Sequence, residues 1–286
     1  MSNKTKAVLL ILLSAFAFSI MQAFLKLSGD VPVVEKVFFR NLVSCFIAFI
    51  MVKKAGLPLF GSKQNRGFLL ARSLLGVTGM ALYFYAIGNM NLADSSLLNK
   101  LSPFFVTLFA FFFLKEKINR TQIWAMLVVF LAAMLVIKPR FDLSVLPALA
   151  GFSSAIFAGA AYTLVRFLGK LEKPATIVFF FSLVSTVAMI PFIIANPVMP
   201  SVNQLLLLLG TGVLAAVGQF TLTYAYRMAP ASDIAIYNYS NIVFAGWWGF
   251  MIWQEIPDWM SISGAVIIVG TSVGLFIHQH RNSKLL

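Results

Sequence analysis

Residues 85–116 read YAIGNMNLADSSLLNKLSPFFVTLFAFFFLKE and residues 224–255 read YAYRMAPASDIAIYNYSNIVFAGWWGFMIWQE. At an offset of 139 residues, Tyr85-Ala86 falls on Tyr224-Ala225, Asp94 on Asp233, Asn99 on Asn238 and Glu116 on Glu255; just upstream, Gly79 falls on Gly218. The identities are few. Each nevertheless occupies the same place relative to an apolar block: the third block of a set of five, or the start, interior and far end of the fourth. The chain therefore reads as one unit written twice, residues 1–140 and 141–286.

Working outward from that pair, ten apolar blocks are found at about 7–27, 34–52, 67–88, 93–114, 121–138, 145–168, 174–195, 204–226, 231–253 and 259–279. Each has about the 20 residues a helix needs to cross roughly 30 Å of hydrocarbon. Composition agrees, since 60% of the 286 residues are apolar and 11% charged, against about 45–50% and about 25% in soluble domains. The expected fold is an all-α membrane protein of ten transmembrane helices, with the lipid bilayer as its surroundings and no room for a separate soluble domain. A soluble enzyme, a nucleic-acid binder and a disulfide scaffold are excluded. Five crossings per unit is an odd number, so the second unit enters the membrane in the opposite sense. Such an inverted repeat is a transporter architecture, with its site near the midplane where the halves meet.

The basic excess, 22 Lys and Arg against 9 Asp and Glu, is distributed by the alternation of loops. With the N-terminus inside, fifteen basic residues fall on the cytoplasmic side and four, Lys26, Lys36, Lys138 and Arg140, on the other. Cytoplasmic loops of membrane proteins carry excess Lys and Arg, so the expected orientation is N-in and C-in, in the cell (inner, cytoplasmic) membrane. Lys4, Lys6 and Ala15-Phe16-Ala17 imitate a secretory signal. The apolar run continues to Leu27, and losing it would unbalance the repeat, so the first block is read as a retained span. Pro103 and Pro191 fall inside spans and are expected to kink them.

Strings across the whole chain resemble the EamA family of the drug/metabolite transporter superfamily. They are Phe39-Arg40; Leu70-Ala71-Arg72-Ser73-Leu74-Leu75-Gly76; Tyr83-Phe84-Tyr85-Ala86; Leu92-Ala93-Asp94-Ser95-Ser96; Leu101-Ser102-Pro103-Phe104-Phe105; and Phe113-Leu114-Lys115-Glu116-Lys117. The second half contributes Tyr224-Ala225-Tyr226, Ala229-Pro230-Ala231-Ser232 and Trp253-Gln254-Glu255. The resemblance implies a carrier whose central cavity is lined by helices of both halves. It implies no particular substrate, because the family moves amino acids, nucleosides, vitamins, cofactors, organic anions and drugs.

Charge inside a span is costly, about 2.5–3.5 kcal/mol at the centre on insertion scales, and marks functional candidates. Arg40, Arg72 and Lys100 lie within spans and all are positive. Facing one cavity they would favour an anionic or zwitterionic small-molecule substrate; snorkelling to the interface is the alternative for the arginines. Neutral candidates for substrate contact are Asn99, Tyr83, Tyr85, Tyr162, Gln219, Tyr224, Asn238, Tyr239 and Asn241, with Thr223 and Tyr237 in the same polar set. Asp94 and Asp233 read as helix N-caps, Glu116 and Glu255 as interfacial anchors or inter-helix ion pairs, and Glu35 with Lys36 as a solvated pair. Trp247-Trp248 and the glycines Gly76, Gly79, Gly218 and Gly246 read as packing. His278 and His280 lie in the C-terminal tail and Cys45 is alone. No catalytic residue, metal or cofactor is therefore expected, and the chain is read as no enzyme. The first span offers Gln22 and Lys26 but no carboxylate for proton coupling. An exporter of amphiphilic or cationic drugs and metabolites, or of amino acids, stays as the alternative. The oligomeric state is left open, a homodimer included.

Overall fold

The structure, a computed structural model, describes residues 3–115, 118–138, 143–169, 171–228 and 235–282. Among them are eleven α-helices and no strand: α1 (Asn3–Leu27), α2 (Val33–Lys54), α3 (Arg66–Asn89), α4 (Leu92–Asn99), α5 (Ser102–Leu114), α6 (Arg120–Ile137), α7 (Leu146–Leu168), α8 (Pro174–Ala195), α9 (Val202–Met228), α10 (Ser240–Trp253) and α11 (Trp259–Asn282). Short 3₁₀ turns lie at Lys63–Asn65, Leu143–Val145 and Ala235–Tyr239. Eight segments are long and apolar enough to cross a membrane, α4 and α5 counting together. α2 carries Glu35, Lys36, Arg40, Lys53 and Lys54 within its 22 residues, and α10 has 14 residues.

Side chains at helical spacing point outward as well as inward. Phe113, Leu131 and Trp124 are 75%, 70% and 68% exposed, a surface that lipid tolerates and water does not. Inside, contact depends on small residues. A Cβ on Gly79 of α3 would come within 3.0 Å of Phe157 and 3.2 Å of the backbone of α7, and one on Gly218 of α9 within 3.0 Å of the Phe18 ring on α1. Ser14 on α1 donates to the Gly218 carbonyl at 2.7 Å. With lipid as apolar as the helices, such close approach and buried hydrogen bonds are what hold the bundle together.

Among the described helices, the most extensive packing pairs are kept when α1, α2, α3, α4–α5 and α6 are exchanged with α7, α8, α9, α10 and α11. α1 packs on α9 as α3 packs on α7; α2 on α9 as α3 on α8; α1 on α10 as α5 on α7; and α2 on α8, α4 on α10 and α6 on α11 are self-matching. Lys115 and Gln254, an offset of 139 apart, both end their helices in the left-handed region, at φ 55° and 56°.

Antiparallel pairing fixes two ends. Ala7 meets Ala225, so α1 begins where α9 finishes; that end also holds the α2–α3 and α7–α8 connections and is the terminal end. The distal end gathers Lys26, Met90, Leu92, Glu255, Lys138 and Asp258.

Three expectations are corrected here. Pro103 kinks no continuous helix: the helix breaks at Lys100–Leu101 and Pro103 takes the first turn of α5, where its missing N–H is no loss. Asp94 is not the N-cap of α4, which is Asn91; it lies in the first turn, buried, and accepts from Ser261 Oγ at 3.1 Å. Glu35 and Lys36 are not solvated, being 3% and 4% exposed. The tight connection before α2 brings the Gly29 carbonyl over Lys36, whose Nζ donates to it at 2.9 Å. α8 runs unbroken through Pro191. Glu116, Lys117, Asp233 and Ala229–Ser232 lie outside the described residues, as do the side chains of Thr223, His278 and His280.

Candidate functional site

Between the two sets of helices lies a cavity of about 660 Å³. One face of α3 builds a wall: Arg72, Gly76, Gly79, Met80 and Tyr83 all line it, at the helical spacing that stacks side chains on one side. The lining reaches Met51, Leu57 and Lys173 at the terminal end and stops at Asn99, Lys100, Gln22 and Asn241 midway. The cavity therefore opens toward the terminal end.

The break between α4 and α5 sets the inner limit. Lys100 follows the last turn of α4, its backbone N–H bonded to the Ser96 carbonyl at 3.0 Å. Its Nζ donates to Asn238 Oδ1 at 3.2 Å, and Asn238 is the repeat mate of Lys100's neighbour Asn99. Asn99 Nδ2 donates to Ser154 Oγ of α7 at 3.3 Å. Behind them a hydrogen-bonded chain ties α4, α1 and α10: Ser96 Oγ donates to Gln22 Oε1 at 2.7 Å, Gln22 Nε2 to Asn241 Oδ1 at 3.1 Å, and Asn241 Nδ2 to the Ala15 carbonyl at 2.9 Å. Each buried amide is thereby satisfied.

Arg40 of α2 and Arg72 of α3 both line the cavity, and the Tyr162 hydroxyl of α7 lies within electrostatic range of both. Arg72 stacks on the Phe181 ring, 3.8 Å from its centroid. Arg40 Nη1 donates to Asn41 Oδ1 at 2.9 Å. Arg40 Nε and Arg72 Nε and Nη1 are buried without a hydrogen-bond partner. Among the described lining residues there is no Asp or Glu.

The cavity brings together Lys100, Asn99, Arg40, Arg72, Tyr83, Tyr162, Gln219, Tyr224 and Asn241. Asn238 stands behind Lys100. Two candidates are displaced. Tyr85 is two residues from Tyr83, more than half a turn round α3, and faces outward at 37% exposed. Tyr239 accepts from Ser272 Oγ at 3.0 Å in the contact with α11, away from the lining. Trp247 and Trp248 also lie outside the lining; their rings sit 4.5 Å apart and Trp248 Nε1 donates to Ser19 Oγ at 3.2 Å. Phe181, Ser44 and Met80 were not singled out by sequence. Phe181 had a signal, since Ala175, Val178, Phe181 and Ser182 share a face of α8.

The distal end is closed by charge. Lys26 pairs with Glu255 and donates to the Met90 carbonyl at 2.8 Å, while Glu255 Oε2 accepts from the Leu92 N–H at 2.9 Å, at the start of α4. Glu255 is thus an inter-helix ion-pair partner and also satisfies an orphan donor of α4. Lys138 pairs with Asp258. That contact, with the Ser261 N–H, holds the Asp258 carboxyl below its usual range. Among the described residues no group of His, Cys, Asp and Glu is arranged for a metal ion.

The model of the EamA-like transporter family matches residues 5–138 and 145–277. The chain is 38% identical over 271 residues, 94% of its length and 95% of the relative's, to the pseudopaline exporter CntI of Pseudomonas aeruginosa (strain UCBPP-PA14). It is 29% identical over 252 residues to the riboflavin transporter of Vibrio cholerae serotype O1, covering 85% and 83%. Solute carrier family 35 member G1 of Homo sapiens is 28% identical over 292 residues, covering 96% and 80%. A solved structure with 16% identity superposes with a TM-score of 0.69 over 97% of this chain and 98% of that one; that likeness concerns the fold.

Proposed function

The chain belongs to the EamA-like transporter family, and on that premise we propose that it carries a small organic anion or zwitterion by alternating access around the central cavity. It is a membrane transporter of a small metabolite rather than an enzyme. The observation that carries the finer reading is the meeting of Arg40, Arg72 and Lys100 in one cavity with no acid among the described lining residues. Guanidinium groups with free N–H donors suit carboxylate or phosphate, because the planar fork can bind two oxygens at once.

In this reading residues 1–140 and 141–286 are inverted five-helix repeats that rock about the site, crossing the inner membrane ten times with both termini in the cytoplasm. The exchange symmetry of the helix packing supports the repeat. The opening at the terminal end makes the present conformation inward-facing, ready to load from the cytoplasm; the exporter named among the relatives supports that direction. Substrate contacts fall to Lys100, Asn99, Arg40, Arg72, Tyr83, Tyr162, Gln219 and Tyr224, with Asn238 and Asn241 holding the floor. Tyr85 and Tyr239, which lie off the lining, are left out.

The test is uptake into proteoliposomes of a metabolite panel of anions, zwitterions and cations. Anion or zwitterion uptake that Arg72→Gln and Arg40→Gln abolish is the expected result. The alternative, export of amphiphilic or cationic compounds, draws on the apolar part of the lining, where Phe18, Phe84, Phe220, Met21 and Met80 lie. Cation uptake unchanged by either substitution would establish it.

A further inference from the structure

We infer that the solute is a polyanion with acidic groups at two separated points, one held by Arg40 and Arg72 and the other by Lys100. The inference rests on the anionic reading above and adds valence and spacing to it. Arg72 enters the cavity six residues from the terminal start of α3, whereas Lys100 closes α4, which starts at the distal end. Asn99, next to Lys100, is bonded to Ser154 of α7, and Tyr162, beside the two guanidiniums, is two turns further along the same helix. That interval is about 12 Å of helix axis at 1.5 Å per residue, which sets the scale of the separation between the two points. Between the poles the wall is Gly76, Gly79 and Met80, which accommodates a carbon skeleton and offers it no charge.

Charge balance points the same way. Each pole has donors to spare: Lys100 has three, of which Asn238 takes one, and the arginines hold three buried N–H atoms without partners. A single carboxylate can satisfy one pole only. The other would stay uncompensated in a site lined by no acid among the described residues. Two or three carboxylates several bonds apart would satisfy both.

The experiment measures thermal midpoints of the purified full-length chain with acetate, glutarate and citrate. The anions are used at millimolar concentration and matched ionic strength, below the range in which citrate stabilises proteins generally. Glutarate and citrate are expected to raise the midpoint through binding to the folded state, and acetate is expected to leave it unmoved. In Lys100→Gln the apparent affinity for citrate should fall about tenfold, one contact's worth, and Lys100→Arg, which keeps the charge, should restore it. Equal shifts by acetate, glutarate and citrate that still require Arg72 would overturn the two-pole inference and leave the anion reading standing. No shift with any anion, together with a shift by tetraphenylphosphonium, would overturn both. An unchanged citrate affinity in Lys100→Gln would remove Lys100 as the second pole and overturn the inference.

Discussion

Two lysines at the distal end are paired with carboxylates, and the three cations that line the cavity are not. At the distal end Lys26 meets Glu255 and Lys138 meets Asp258, and their remaining valences close on Met90, Leu92 and Ser261. In the cavity, Arg40, Arg72 and Lys100 have neutral partners among the described residues, Asn41, Phe181 and Asn238. Cations stand in both places, with carboxylates only at the distal end. The surroundings differ, and with them the consequence of removing a charge: at a seal it breaks structure, whereas in the cavity it relieves repulsion and removes a ligand contact.

The largest effect expected is on transport by Arg72→Gln. Losing one partner of a buried charge contact costs about 2–5 kcal/mol, so uptake of an anionic solute should fall by about two orders of magnitude or more. The thermal midpoint of the ligand-free protein should hold or rise, because a buried cation without a counter-charge has gone. A variant that loses both transport and midpoint would place Arg72 with the distal pairs and break the contrast.

Glu255→Gln should act in the opposite way. It strands Lys26, and because that pair keeps some solvent contact, at 13% and 14% exposure, the loss should be about 2 kcal/mol, below the 3–5 kcal/mol of fully buried pairs. Adding Lys26→Gln should recover part of it, which a double-mutant cycle measures. Thiol reagents applied from the distal side should also reach a cysteine placed at Gln22 faster in Glu255→Gln, since the seal above the cavity has been loosened.

Gly79→Ala and Gly218→Ala probe the symmetry beneath the contrast. A methyl at Gly79 runs into the backbone of α7 and one at Gly218 only into the Phe18 ring. Both should destabilise by about 1–3 kcal/mol, Gly79→Ala more, because a ring can move and a helix backbone cannot.

The smallest effect belongs to the terminal end. Glu172 accepts from the Ser62 N–H at 2.8 Å and from Asn65 Nδ2 at 2.7 Å, beside Gly61, whose φ of +58° and crowded Cβ position suit glycine alone. The Asn65 and Ser62 hydrogen bonds hold the Glu172 carboxyl below its ordinary value of 4.5. A depressed carboxylate contributes stability that is present above 4.5 and lost as pH falls through the lower folded-state value. Glu172→Gln should therefore cost under about 1 kcal/mol at neutral pH, and nothing once pH is low enough to protonate the native carboxyl. Midpoints of the two proteins against pH should converge at the acid end.

The long helices were legible because apolar length is a one-dimensional signal. Their predicted bounds fall within a few residues of α1, α2, α3, α6 to α9 and α11. The break at Lys100 was visible only as Ser102-Pro103, and its position relative to Pro103 depends on which carbonyl the ring obstructs, a three-dimensional matter. The cavity cations were legible from cost alone, since a charge in a span needs a reason. Tyr85 and Tyr239 were misplaced because polarity says that a side chain avoids lipid, not which neighbour it meets. Tyr239 found Ser272 instead of the cavity. Glu35 and Lys36 misled for a related reason: an acid beside a base at a helix start looks solvated until the Gly29 turn folds over it.

Proteoliposome uptake of glutarate and citrate by the wild-type chain, Arg72→Gln and Glu172→Gln tests the central claim most directly, with tetraphenylphosphonium as the cationic comparison. The account predicts saturable anion uptake that is lost in Arg72→Gln and kept in Glu172→Gln, with no uptake of the cation. Uptake of tetraphenylphosphonium at equal rates by all three proteins, with none of either anion, would contradict it.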